Sequence, residues 1–258
     1  MIRSALFSFL LSGAAIALFS PIVWAETSFS DAGKGTAESP QDFAFELRGS
    51  LFSPDIDSDP ALGGATPYRD VFGKKKRWLI GAEFDWQAIR IKHVGTLGPG
   101  LGVFYTKMSD FAFRKDPPTE RSGDDTSLEI LPIYAIAVLR VDALSRELHV
   151  PLVPYGKFGL GVGLWRAMNT TGVSRYTDAN GTTQKGLGAT WGLHAAGGLA
   201  FDLNFLDPSA ARSFDASMGV NHTYIFAEYT LFWLNGLAQQ GALRVGGGAW
   251  TFGLAFEF

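Results

Sequence analysis

Ala249-Trp250-Thr251-Phe252-Gly253-Leu254-Ala255-Phe256-Glu257-Phe258 closes the chain. Successive side chains of an extended strand point to opposite sides. Trp250, Phe252, Leu254, Phe256 and Phe258 therefore share one face, and Ala249, Thr251, Gly253, Ala255 and Glu257 share the other. A soluble strand buries its bulky face and shows water a charged one. Here the face opposite the aromatics is mostly small, as a narrow interior requires, and the bulky face runs to the last residue. The stretch reads as a strand whose large side chains look into lipid.

Working back from the C-terminus, the same logic recurs. Trp78, Ile80, Ala82, Phe84 and Trp86 alternate with Arg77, Gly81, Glu83, Asp85 and Gln87. Phe43, Phe45, Leu47 and Leu51 stand against Glu46, Arg48 and Ser50, and Phe158, Leu160, Val162 and Leu164 against Lys157, Gly159, Gly161 and Gly163. Segments of about ten residues, apolar outside and polar or small inside, are the pattern of membrane-spanning strands. Less regular strands are expected at 97–107, 128–141, 188–203 and 218–233. Pro132, inside the strand expected at 128–141, has no amide donor, so the ladder should lapse there. The fold class expected is all-β: a transmembrane antiparallel up-and-down β-barrel of about eight strands. It must close, because hydrocarbon cannot pair with the backbone groups of an open edge.

The connections agree. Stretches 54–75, 108–126 and 169–186 are long, 88–90 is short, and 142–149, 204–213 and 234–243 are intermediate. With a periplasmic N-terminus, the long connections and 234–243 fall outside, as in barrels with short periplasmic turns and longer outer loops. Asp207-Pro208-Ser209 predicts a short periplasmic helical turn with Asp207 as its cap.

Residues 1–25 have the parts of a secretory signal peptide: Arg3, an apolar run over 5–20, and Val23-Trp24-Ala25 before Glu26. Residues 26–41, rich in Ser, Gly, Ala and Asp, read as a flexible periplasmic leader, and 42–258 as the barrel. No later stretch has the roughly 18 consecutive apolar residues of a membrane helix. A net charge of −3 provides no basic field for nucleic acid, and the absence of cysteine excludes disulfides and thiolate metal sites. The 31 glycines and 21 phenylalanines suit strands better than helices. A soluble lipophile-binding barrel would need a polar outer face, which the run Trp78 to Trp86 does not supply.

Phe258, after its alternating aromatics, resembles the terminal signal of bacterial outer-membrane proteins. With eight strands the chain resembles the small barrel class of OmpA-, OmpX- and OmpW-type proteins. Gly219-Val-Asn-His-Thr-Tyr-Ile-Phe-Ala-Glu-Tyr229 and Ser53-Pro-Asp-Ile-Asp57 are similar to stretches of poorly characterised outer-membrane barrels of myxobacteria and relatives. The resemblance implies a place in the bacterial outer membrane, contact with its lipid and lipopolysaccharide, and recognition of the C-terminal strand by the barrel-assembly machinery. It implies no activity.

Glu46, Arg48, Glu83, Asp85, Lys157, His194, Glu228 and Glu257 are predicted to face the lumen. They could line a small-solute channel or form a polar plug. Eight strands leave a lumen that side chains fill, which favours the plug. Gly159, Gly161 and Gly163 would make room for longer side chains opposite. His222, Tyr224 and Glu228 share a face and raise a lipid A or phospholipid hydrolase as a further alternative, with His222 as base and Glu228 orienting it. That reading has no nucleophile, since Thr223 and Ser217 point away. Asp55, Asp57 and Asp59 have the alternate spacing of a calcium loop, but Pro60 and Thr66 stand where Gly and Glu are wanted, so a solvated acidic loop is favoured. Lys74, Lys75, Lys76 and Arg77 are predicted to meet lipopolysaccharide phosphates where the first loop re-enters the outer leaflet. Trp78, Trp165, Trp233 and Trp250 are assigned to the outer aromatic girdle and Trp86 to the inner one. No cofactor motif is present. The function expected is a non-enzymatic outer-membrane barrel with a structural or surface-interaction role; the oligomeric state stays open.

Overall fold

The computed structural model describes residues 42–114, 120–177, 181–237 and 241–258; the expected signal peptide (1–25) and leader (26–41) lie outside them. Eight strands follow the chain: β1 (Phe43–Phe52), β2 (Arg77–Trp86), β3 (Gly95–Phe113), β4 (Arg121–Arg140), β5 (Leu152–Asn169), β6 (Leu187–Asp202), β7 (His222–Trp233) and β8 (Gly247–Glu257). Each pairs antiparallel with its neighbours in sequence, and β1 also pairs with β8, so the sheet closes. At the seam Phe43 N–H donates to Phe258 O (2.9 Å) and Phe258 N–H to Phe43 O (3.0 Å). Among the described residues no helix is long and apolar enough to cross a membrane.

The barrel is sheared. Ser50 faces Leu79 on β2 directly. Followed the other way round, the ladder runs from Ser50 through Thr251, Glu228, Gly198, Tyr155, Arg140 and Thr96 to Arg90, past the far end of β2. This stagger is what tilts the strands of a closed sheet.

Alternation decides the rest. Trp78 (69% exposed), Ile80, Leu101, Phe158, Leu160, Trp191, Trp250 and Phe252 point outward, while Glu46, Arg48, Glu83, Lys157, Glu228 and Thr251 point inward and are buried. An apolar exterior around a charged interior inverts a soluble protein and makes this a transmembrane barrel. Near the N-terminal end, Phe43 and Phe84 stack (5.3 Å between ring centres) beside Phe258.

Several boundaries differ from the sequence expectations. The segments expected at 97–107 and 128–141 are parts of longer strands, and most of the loop expected at 108–126 is a ribbon continuing β3 and β4. Pro132 does interrupt the ladder: pairing to β3 stops at Val103–Ile133 and resumes in the same register at Thr106–Ile130, whereas pairing to β5 runs through Pro132–Gly163. The turn expected at 88–90 instead adds a short strand, Ile89–Ile91, against the start of β3. The loop after β1 holds helix α1 (Pro67–Phe72), and the turn after β4 holds α2 (Ala143–Leu148).

The helical turn expected at Asp207 is a full helix, α3 (Pro208–Met218). Asp207 accepts from Ser209 Oγ (2.6 Å) and from the backbone N–H groups of Ser209 and Ala210 (3.0 Å each). These bonds hold its carboxyl below the ordinary aspartate range, the Ser209 hydroxyl contributing most. Gly219 ends the helix in the left-handed region (φ 69°). The seventh strand consequently starts at His222 rather than at Met218.

Leu47 sits mid-strand on the lipid face, opposite Ala82 and Leu254 and half exposed. Leu47→Arg is expected to destabilise the barrel by about 2–4 kcal/mol, measurable as a lowered urea midpoint in phospholipid vesicles.

Candidate functional site

The middle of the lumen is a cluster of charges contributed by five strands. Arg48 on β1 donates to Glu83 on β2, to the Tyr134 hydroxyl on β4 and to Glu228 on β7, and its Nε lies 3.4 Å from Glu46. Lys157 on β5 donates to Glu46 (2.7 Å) and Glu83, and lies 3.6 Å from Glu228. Arg140 on β4 donates to Glu46 (2.6 Å) and Asp85 (2.7 Å). The hydroxyls of Tyr134, Tyr155 and Thr230 donate to Glu83 (2.7 Å), Glu228 (3.1 Å) and Glu228 (2.7 Å). Arg48 is 4% exposed and Lys157 3%. Buried ions are tolerated only when paired and hydrogen-bonded. Here Glu46, Glu83 and Glu228 each lie between two or more cations.

Glu46, Glu83 and Asp85 bring carboxylate oxygens close enough to hold a metal ion. Their oxygens face Arg48, Arg140 and Lys157, which already supply the countercharge. The group is an ionic plug rather than a cation site.

Towards the end with the long connections, an apolar layer lies over the charges. Phe104, Tyr134, His194 and Phe232 form one ring cluster, with Phe52, Leu79, Met108 and Ile130 around it. Leu234 and Val245, from the last connection, fold into the barrel mouth and are buried. Gly163 makes room for them: a Cβ there would lie 2.5 Å from Val245 Cγ2 and 3.0 Å from Leu234 Cδ1. A Cβ on Gly102 would meet the Tyr134 ring at 2.2 Å. Gly163 thus makes room for longer side chains, as expected, and these are apolar; Gly102 does the same for an aromatic ring.

The eight predicted lumen residues all face inward, yet they do not form one network. His194 is corrected: it stacks on Tyr134 (4.0 Å, 7°), meets Phe232 edge-on (5.0 Å), and neither ring nitrogen has a hydrogen-bond partner among the described residues. It belongs to the aromatic layer. Glu257 lies lower, accepting from Tyr224 (3.0 Å) and Gln87 (2.8 Å). Arg140, Tyr134, Tyr155 and Thr230 were missed as members. Parity would have found the first two, since Tyr134 and Arg140 share the inward face with Ile130 and Ile136, but a segment apolar on both faces hid that face.

The hydrolase alternative is not assembled. The carboxylate on His222 is Asp202 (2.9 Å), while Glu228, bound to Arg48, stands six residues along the strand, about 20 Å at 3.3 Å per residue. The three loop aspartates serve the turn: Asp57 accepts from the N–H groups of Tyr68 (2.8 Å) and Arg69 (2.9 Å), Asp59 from that of Ala61 (2.9 Å), and burial pushes the Asp55 carboxyl up against the pull of Arg244. Lys74, Lys75 and Lys76 are exposed just before β2, and Arg77 begins that strand on its inward side. Trp78, Trp233 and Trp250 face outward as expected, with Trp191 an unforeseen companion. Trp165 is corrected: it shares the inward parity of Lys157, donates to Thr190 Oγ1 (3.2 Å) and packs on the apolar layer.

No family model and no curated protein sequence matches the chain. Among solved structures it is similar to the attachment invasion locus protein Ail of Yersinia pestis, in complex with the heparin analogue sucrose octasulfate (15% identity, 84% of this chain and 97% of that one, TM-score 0.43). It is also similar to the outer-membrane protein OprG of Pseudomonas aeruginosa (13%, 84% and 96%, TM-score 0.44) and to the N-terminal β-barrel domain of OprF from the same organism (11%, 84% and 98%, TM-score 0.36). These likenesses concern the barrel alone.

Removing Arg48 leaves three carboxylates facing one another with less countercharge. Arg48→Leu should lower stability by about 3–5 kcal/mol, and adding Glu83→Gln and Glu228→Gln should recover a good part of it. Equilibrium unfolding in detergent micelles reads both; a loss no larger than that of a surface substitution would contradict the ionic-plug assignment.

Proposed function

We propose that this protein is an exported bacterial outer-membrane barrel that does not conduct and instead holds its outer loops rigidly at the cell surface, in a structural or surface-interaction role. The observation that carries the reading is the bridging of the lumen by Glu46, Arg48, Glu83, Lys157 and Glu228, each nearly inaccessible, under an apolar layer sealed by Leu234 and Val245. A narrow eight-stranded barrel filled by side chains leaves no water path.

The outer end is the one with the long connections, two of which contain helix or additional strand. Lys74, Lys75, Lys76 and Arg77 stand beside Trp78, in the zone where an outer leaflet carries its phosphates, and are proposed to pair with lipopolysaccharide. The last strand, with its outward aromatics up to Phe258, is proposed as the part read by the barrel-assembly machinery. The expected signal peptide over 1–25 accounts for export.

Planar-bilayer recording of the purified mature protein tests the role. A silent bilayer, with the protein verified as inserted and folded, is expected. Discrete conductance steps would favour the small-solute channel and overturn the plugged-barrel reading.

A further inference from the structure

The loop between β1 and β2 encloses a cleft of about 550 Å³ that the lumen does not use. One wall is the turn after β1, with Ser53, Asp55 and Ser58; the other is α1 and the return strand, with Arg69, Lys74 and Lys76. The two walls are tied together. Asp57 caps the start of α1 through Tyr68 and Arg69. Asp55 N–H donates to Gly246 O (2.8 Å), anchoring the turn to the last connection. Tyr68 is buried and packs on Phe72 (5.3 Å between ring centres), so the floor is solid. Gly73 leaves α1 at φ 72°, a left-handed conformation that lets the chain reverse and carry Lys74 and Lys76 along the rim.

We infer that this cleft binds a phosphorylated saccharide. Three cations line it, and of its two carboxylates Asp57 is already spent on backbone N–H groups, so an anion is the favoured ligand. The volume lies in the range of small-molecule sites and far exceeds a bare phosphate. Asp55, Ser53 and Ser58 supply acceptors and donors suited to sugar hydroxyls. Tyr68 presents no open ring face, which argues against a nucleobase. Lys76 is two residues from Trp78, at the level of the outer interface, so the ligand can be a phosphosugar headgroup carried by the membrane or a soluble sugar phosphate of the same chemistry. This site deepens the lipopolysaccharide contact proposed above and rests on the same orientation of the barrel.

The test uses the mature protein in detergent micelles, with equilibrium binding of intact lipopolysaccharide, dephosphorylated lipopolysaccharide, glucose 6-phosphate and glucose. Phosphate-bearing probes should bind and their phosphate-free counterparts should not. Binding of lipopolysaccharide alone assigns the membrane source, and binding of glucose 6-phosphate a soluble one; either supports the cleft. Lys74→Ala with Lys76→Ala should weaken binding at least about tenfold, whereas Lys185→Ala, on an exposed lysine of the β5–β6 connection that does not line the cleft, should change it less than about twofold. Asp55→Asn should weaken binding as well; stronger binding would mean that Asp55 merely repels an anion and would overturn the saccharide assignment. Failure of both phosphate-bearing probes overturns the site. An equal loss from Lys185→Ala overturns it too, while leaving the diffuse lipopolysaccharide contact intact. Heat-modifiable migration on gels verifies that each variant is folded.

Discussion

Inside a bilayer an amide N–H or carbonyl without a partner costs several kcal/mol, because no water is there to take its place. An open eight-stranded sheet would present two such edges. The β1–β8 ladder, from Ala44–Glu257 to Ser50–Thr251, removes both at once, and much else follows from it. Closure at eight strands makes a narrow tube, and half the residues of every strand must then fit inside it. The alternation of bulky and small or charged residues is therefore a requirement of volume as much as of polarity.

What fills the tube is arranged in layers. Charges occupy the middle, where three cations meet four carboxylates and three hydroxyls complete the bonding. A charge at this depth survives only by pairing, and the partners come from five strands, so the cluster also ties the wall together across its diameter. The apolar layer above keeps water from the outer side, strengthening those pairings by lowering the local dielectric. His194 sits at the boundary, stacked on the tyrosine that also bonds Arg48 and Glu83.

The two ends differ. At the end that holds Phe43 and Phe258, compact turns, α2 and the well-capped α3 close the connections. At the other, β3, β4 and β5 run on past the lipid belt, and the first loop folds into its own small structure around Tyr68.

Much of this was legible in the residues alone. Period-two alternation in β1, β2, β5 and β8 needs only the pleat of a strand to be read, and it identified the fold class, the lipid face and the direction of Glu46, Arg48, Glu83 and Lys157. Asp207-Pro208-Ser209 marked a helical turn locally, through its cap, but not the full length of the helix, which runs on to Met218 where a strand was expected. What sequence could not decide is whatever depends on distance across the tube. Arg48 and Glu228 are 180 residues apart, and no local pattern tells which carboxylate a given cation meets. Leu234 and Val245 read as loop residues, and their insertion opposite Gly163 exists only once β5 stands near the last connection. Local periodicity sets which way each side chain points, because backbone geometry alone dictates that. Which side chains touch is set by shear and closure, and those are properties of the assembled barrel.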